Sequence, residues 1–144
     1  MIAKITILFF VLLLTACQPE PQTANDVLLA LSKDGLPIGE SLEFTAVSDP
    51  NELLGRPGGY TSKINFRDTR LEVQYIDEFD TIDGGSIEVF ASEGDATNRR
   101  EYLAALIEAL PALTEYHYQN GVVLLRLSKR LTPEQADGYG DALK

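Results

Sequence analysis

The chain opens with an apolar run from Ile5 to Leu14 and passes through a polar, proline-bearing stretch from Gln18 to Ala24. Beyond that stretch, apolar and polar positions begin to alternate with the periods of helices and strands. The opening run is about ten residues, well under the ~20 needed to cross a bilayer. With Lys4 before it and small residues after it, the run reads as a cleaved export signal rather than a spanning helix.

The remaining pattern predicts nine elements. A short helix capped by Thr23 or Asn25 places Val27, Leu28 and Leu31 on one face and stops at Gly35. Ser41–Val47 alternates as a strand with Leu42, Phe44 and Ala46 on one side, and Asp49–Gly59 is a loop rich in turn residues. Strands follow at Thr61–Phe66 and Leu71–Ile76, then an acidic loop from Asp77 to Gly85 and a strand at Ser86–Phe90. From Glu93 to Leu110, helical spacing aligns Tyr102, Leu103, Leu106, Ile107 and Leu110, and Pro111 ends the run.

Asn120-Gly121 between two β-prone runs predicts a hairpin. A two-residue turn there pairs Tyr118 with Val123, Tyr116 with Leu125 and Glu115 with Arg126. The hairpin's apolar face then carries Tyr116, Tyr118, Val123, Leu125 and Leu127, and its polar face carries His117 and Gln119. Thr132-Pro133-Glu134-Gln135 combines an N-cap, a first-turn proline and a capping-box glutamine. It starts a last helix with Ala136, Tyr139 and Leu143 inward. The order α-β-β-β-β-α-β-β-α implies an α+β fold: a single compact domain over residues 25–144, an antiparallel sheet with helices packed mainly on one face.

Leu14-Thr15-Ala16-Cys17 resembles the lipobox of bacterial lipoproteins, in which the cysteine becomes the lipid-bearing first residue. The resemblance implies a signal peptide over residues 1–16, lipidation of Cys17 and attachment to the membrane through that lipid. Residues 17–24 then form a tether; seven proline-bearing residues at ~3.1 Å each reach roughly 20 Å. Gln18, rather than aspartate, follows the cysteine. For a Gram-negative host this resembles the signal for the periplasmic face of the outer membrane.

Cleavage changes the composition little. The 144-residue chain loses its first 16 residues, leaving 128, enough for one real core. Its formal charge of −10 becomes −11 once Lys4 leaves. That charge argues against nucleic acid, which is bound by neutralising phosphates. It also argues against adsorption to an anionic membrane, so lipid must supply the hold. Cys17 is the only cysteine, and its acylation leaves no thiol for a disulfide or a nucleophile.

Three groups invite chemistry. Arg56, Lys63, Arg67 and Arg70 form the one local concentration of positive charge, within Gly- and Pro-bearing chain. There Arg56, Tyr60, Lys63 and Arg67 suit contact with a carboxylate or phosphate on a partner, Arg56 as a fork and Tyr60 as a stacking face. A structured turn whose cations pair with surplus acids explains the same residues. Asp77, Glu78, Asp80 and Asp83 offer carboxylates, but EF-hand spacing fails at Phe79, and a solvated loop accounts for them. His117 is the only histidine; no zinc set and no Gly-x-Ser-x-Gly elbow accompanies it. It reads as an exposed strand residue. No metal and no cofactor is expected.

The block Asp49-Pro50-Asn51-Glu52-Leu53-Leu54-Gly55-Arg56-Pro57-Gly58-Gly59-Tyr60-Thr61-Ser62-Lys63 resembles a signature of uncharacterised small bacterial lipoproteins and secreted proteins. Gly35-Leu36-Pro37, Gly84–Phe90 and Thr132–Ala136 extend the likeness over most of the domain. The resemblance implies an exported single domain and brings no activity. The leading expectation is a membrane-anchored envelope lipoprotein whose domain is a non-catalytic binding module for an envelope protein or cell-wall partner. Two alternatives stand beside it: an envelope hydrolase using His117 or acidic-loop carboxylates, and a structural scaffold that would form oligomers.

Overall fold

The computed structural model describes residues 22–74 and 80–143. The lipobox, Cys17, most of the tether and the start of the acidic loop, with Asp77 and Glu78, lie outside the described residues. Five strands form one antiparallel sheet in the order β1-β2-β3-β5-β4: β1 Ile38–Glu43, β2 Tyr60–Asp68, β3 Gly84–Phe90, β4 Glu115–Asn120 and β5 Val123–Ser128. Helix α1 (Ala24–Lys33) precedes them, α2 (Glu93–Ala109) joins β3 to β4, and α3 (Pro133–Ala142) closes the chain. The α+β class and the antiparallel sheet follow the sequence reading.

The caps act as expected. Thr23 and Asp26 form a reciprocal capping box at α1, and Thr132 and Gln135 form another at α3. The apolar faces of these helices, Val27, Leu28 and Leu31 with Ala136 and Tyr139, share one side of the sheet. There they bury Ile64, Phe66, Ile87, Val89, Val123, Leu125 and Leu127. Two of the three helices thus pack on one face. Helix α2 crosses the other, where Ala96 and Leu103 meet Tyr60, Phe90 and Leu124.

Four local expectations change. Strand β1 starts and ends earlier than Ser41–Val47, because Thr45 and Ser48 bond each other's backbone and side chains in a turn. Leu42, within the strand, is exposed. Leu71–Gln74 is not a strand. Arg70 folds back on Asp68, and the Gln74 amide donates to Asp83 at 3.1 Å. Tyr75 and Ile76 lie outside the described residues.

The hairpin turns one residue later than expected, on Gly121-Val122. Gly121 takes a positive φ of 53°, while Asn120 stays in the strand opposite Val123. Tyr118 therefore faces Leu125, Tyr116 faces Leu127, and His117, not Glu115, sits opposite Arg126. Both registers leave every side chain on its intended face. Finally, of the apolar stripe on α2 only Leu103 is buried, while Tyr102 and Leu110 are exposed. The first half of the helix is fastened to the sheet: Gln119 donates to Thr97 Oγ1 at 3.0 Å, and Arg99 donates to Glu88. The second half overhangs a cleft.

Candidate functional site

Side chains of register partners project to the same face of a sheet. Leu42, Asn65, Ser86, Arg126 and His117 are successive partners across all five strands, and Lys63, Glu88, Leu124 and Gln119 form the adjoining row. Both rows lie on the α2 side. A face that alternation marks as polar is therefore covered in part by a helix, and its charges are buried.

Those charges are matched in a chain. Glu88, fully buried, receives Arg99 Nε at 3.0 Å and Arg126 Nη1 at 2.9 Å. Arg126 also donates Nε to Glu115 at 2.7 Å, and Glu115 lies 2.7 Å from His117 Nε2. Burial pushes the Glu115 carboxyl up, but hydrogen bonds from His117 and Arg126 outweigh it and hold the group below the ordinary glutamate range.

A second cluster gathers around Asp49. Its carboxylate accepts Tyr60 Oη at 2.6 Å, Lys63 Nζ at 3.0 Å and the amides of Leu53 and Leu54 at 2.8 and 3.1 Å. Asn51 donates to Tyr60 Oη, and Lys63 Nζ lies over the Phe44 ring. Burial raises the Asp49 carboxyl; bonds from Tyr60, the Leu53 amide and Lys63 reverse this and hold it far below the ordinary aspartate range. Burial and the bond to Asp49 push the Tyr60 phenol up. At Gly59 a Cβ would stand 2.0 Å from Leu53 O, so only glycine lets the loop close.

These contacts redistribute the expected contact residues. Tyr60 and Lys63 are buried, so Tyr60 offers no stacking face and Lys63 no surface charge. Arg56 is exposed and pairs with Glu52, Arg67 pairs with Glu40 across β1 and β2, and Arg70 clamps Asp68. The Leu53–Lys63 block is thus stitched inward by Asp49, and within it the Arg56 side chain stands mainly in solvent. Within the acidic loop, Asp83 is buried against Arg130 at 2.7 Å and Asp80 is exposed. Among the described residues no group of three His, Cys, Asp or Glu side chains converges on a metal position.

Comparison of the chain with protein-family models, with curated proteins and with solved structures returns no match. The site must speak through its own geometry.

That geometry is a groove over the two rows. At one end a cleft of about 260 Å³ lies under the overhang of α2, with Leu103, Leu106, Ile107 and Leu113 as walls. At the other, a polar cavity of about 460 Å³ is bounded by Leu42, Phe44, Ser48 and Asn51 and floored by Lys63, Asn65 and Arg126. The two share Asp80, Thr81 and Arg126. His117 is nearly covered rather than exposed, and its Nε2 lies against the Glu115 carboxylate, not a hydroxyl. Ser86 is two strands away, roughly 10 Å at ~4.8 Å per strand, beyond the ~3 Å reach of proton transfer.

Asp49, Glu88, Ser86, Asn65 and Arg126 escaped sequence reasoning as site residues. One signal did point to two of them: Glu88 and Arg126 each interrupt an apolar run, Ile87-Glu88-Val89-Phe90 and Val123-Leu124-Leu125-Arg126-Leu127. Arg126 received notice only as a hairpin pair.

Proposed function

We propose that this protein is a lipid-anchored lipoprotein of the bacterial envelope whose domain is a non-catalytic binding module. We propose further that the module binds through the groove on the α2 side rather than through the Leu53–Lys63 loop. The lipobox pattern ending at Cys17 and the short tether support the anchoring. For a Gram-negative host, Gln18 favours the periplasmic face of the outer membrane. Among the described residues no helix is long and apolar enough to cross a membrane.

The groove carries the binding reading. It is walled by apolar side chains, exposed at Leu42 and Leu113 and half-buried at Leu106 and Ile107, and floored by buried charges already matched to one another. Such a surface is rigid before any partner arrives, which lowers the ordering cost of binding. The tether enters at the end of the sheet where β2 begins, since the Ala24 amide donates to Ser62 Oγ at 2.9 Å. The apolar cleft sits by Ser128 and Glu115, at the other end of the strands. In an anchored molecule it would face away from the lipid toward an envelope protein or cell-wall partner.

Photo-crosslinking in intact cells tests this reading. A probe at Leu42 or Leu113, both at the groove edge, is expected to capture a specific neighbour, and one at Arg56 is not. Capture from Arg56 alone would return the contact to the loop; capture from none would overturn the binding reading. Cys17→Ser is expected to release the protein from the membrane fraction, and unchanged retention would overturn the anchor.

A further inference from the structure

We propose that the polar cavity beside Phe44 is a binding site for a neutral sugar ring, an inference that rests on the groove being the binding surface. Its volume, about 460 Å³, falls in the ~300–1,000 Å³ range of small-molecule sites. The ligand class follows from charge, hydrogen-bonding capacity and shape.

Consider charge first. The cations bordering the cavity, Lys63 and Arg126, are already held by Asp49 and by Glu88 with Glu115, and Arg99 completes the set. Three cations thus meet three carboxylates. An anionic ligand would compete with buried carboxylates for the same donors, and a cationic ligand would be placed against Lys63 and Arg126. Either would unbalance charges held away from water, which is costly. A neutral ligand meets neither penalty.

Hydrogen bonding narrows the class. Ser48, Asn51 and Thr81 present hydroxyls and an amide to the cavity, and Asp80 sets an exposed carboxylate on its rim. This mixture of donors and acceptors matches a ligand whose own groups do both, as sugar hydroxyls do. Shape agrees: Leu42, Phe44 and Pro50 supply an apolar wall for the C–H face of a ring.

The test uses the full lipid-bearing protein in detergent and four hexoses of similar shape: glucose and N-acetylglucosamine, cationic glucosamine, and anionic glucuronate. Saturation-transfer NMR is expected to show at least one neutral sugar binding, with the charged sugars at least ten-fold weaker. Thr81→Val, which keeps the side-chain shape and removes a hydroxyl that lines the cavity, is expected to weaken that sugar about three- to ten-fold, the worth of one hydrogen bond, without lowering the melting temperature.

Equal binding of charged and neutral sugars would overturn the charge argument. Unchanged affinity in the folded Thr81→Val protein would overturn the hydrogen-bonding argument. No binding of either neutral sugar at about 10 mM would overturn the proposal. Crosslinking at Leu113 and Leu42 would still decide the broader binding reading on its own.

Discussion

Replacing Asp49 with alanine withdraws, in one step, the counter-ion of a buried ammonium and the acceptor of four other donors, the Tyr60 hydroxyl and the Asn51, Leu53 and Leu54 amides. Lys63 is 2% exposed and its partner at 3.0 Å is the Asp49 carboxylate. Removing one member of a buried pair costs ~3–5 kcal/mol, because the remaining charge is left unmatched away from water. The Tyr60 hydroxyl and the three amides also lose their acceptor. The amides lie in a loop where water can partly replace it, so the ion-pair figure dominates. Against the ~5–15 kcal/mol available to a domain, that loss is large.

With a urea dependence near 2 kcal/mol per molar, the unfolding midpoint is expected to fall by roughly 2 M. Lys63→Met in the same chain removes the stranded charge, so the double variant is expected to be more stable than the sum of the two losses implies. A coupling above ~1 kcal/mol is expected between groups in direct contact. The reasoning is refuted if Asp49→Ala costs less than ~1 kcal/mol, or if the two substitutions are additive.

Other consequences follow from the same contacts. The carboxyls of Asp49, Asp68 and Glu115 are held below their ordinary values, so their stabilisation is complete above the unfolded-state range near ~4. It is lost as pH falls through the lower folded values; urea midpoints should therefore decline on acidification below ~4, and a flat profile would contradict this. Gly59→Ala forces Leu53 O away from a 2.0 Å contact and should cost ~2 kcal/mol or more by thermal melting. Gly121→Ala meets open space but a φ of 53°, and should cost only ~1 kcal/mol. Glu88→Gln weakens the hold of the sheet on Arg99, so amide exchange should quicken in α2 and remain slow in β5.

The capping box Thr132-Pro133-Glu134-Gln135 specifies its helix without help, because an N-cap and a first-turn proline act over four residues. Thr23 with Asp26, the Gly-bearing hairpin and the inward faces of α1 and α3 are legible for the same reason: each signal is local. Leu71–Ile76 misleads because its β propensity yields, over Leu71–Gln74, to contacts from far along the chain. Asp83 takes the Gln74 amide, and Arg130 donates to Glu72 O at 2.7 Å. The Asp49 block shows the same limit from the other side. Its residue types suited a surface contact, whereas its carboxylate turns Tyr60 and Lys63 inward.

By itself the sequence determined the three helices, the caps of α1 and α3, the hairpin strands and the α+β class. Local chemistry suffices for each of these. Only the tertiary structure decided that α2 lies across the polar side of the sheet. Only it placed Lys63, Glu88 and Arg126, from three strands, on one buried floor. Strand order and register act over separations of tens of residues, and a hydropathy pattern records one strand's alternation, not what covers it. A charge written as outward-facing thereby becomes the floor of a groove.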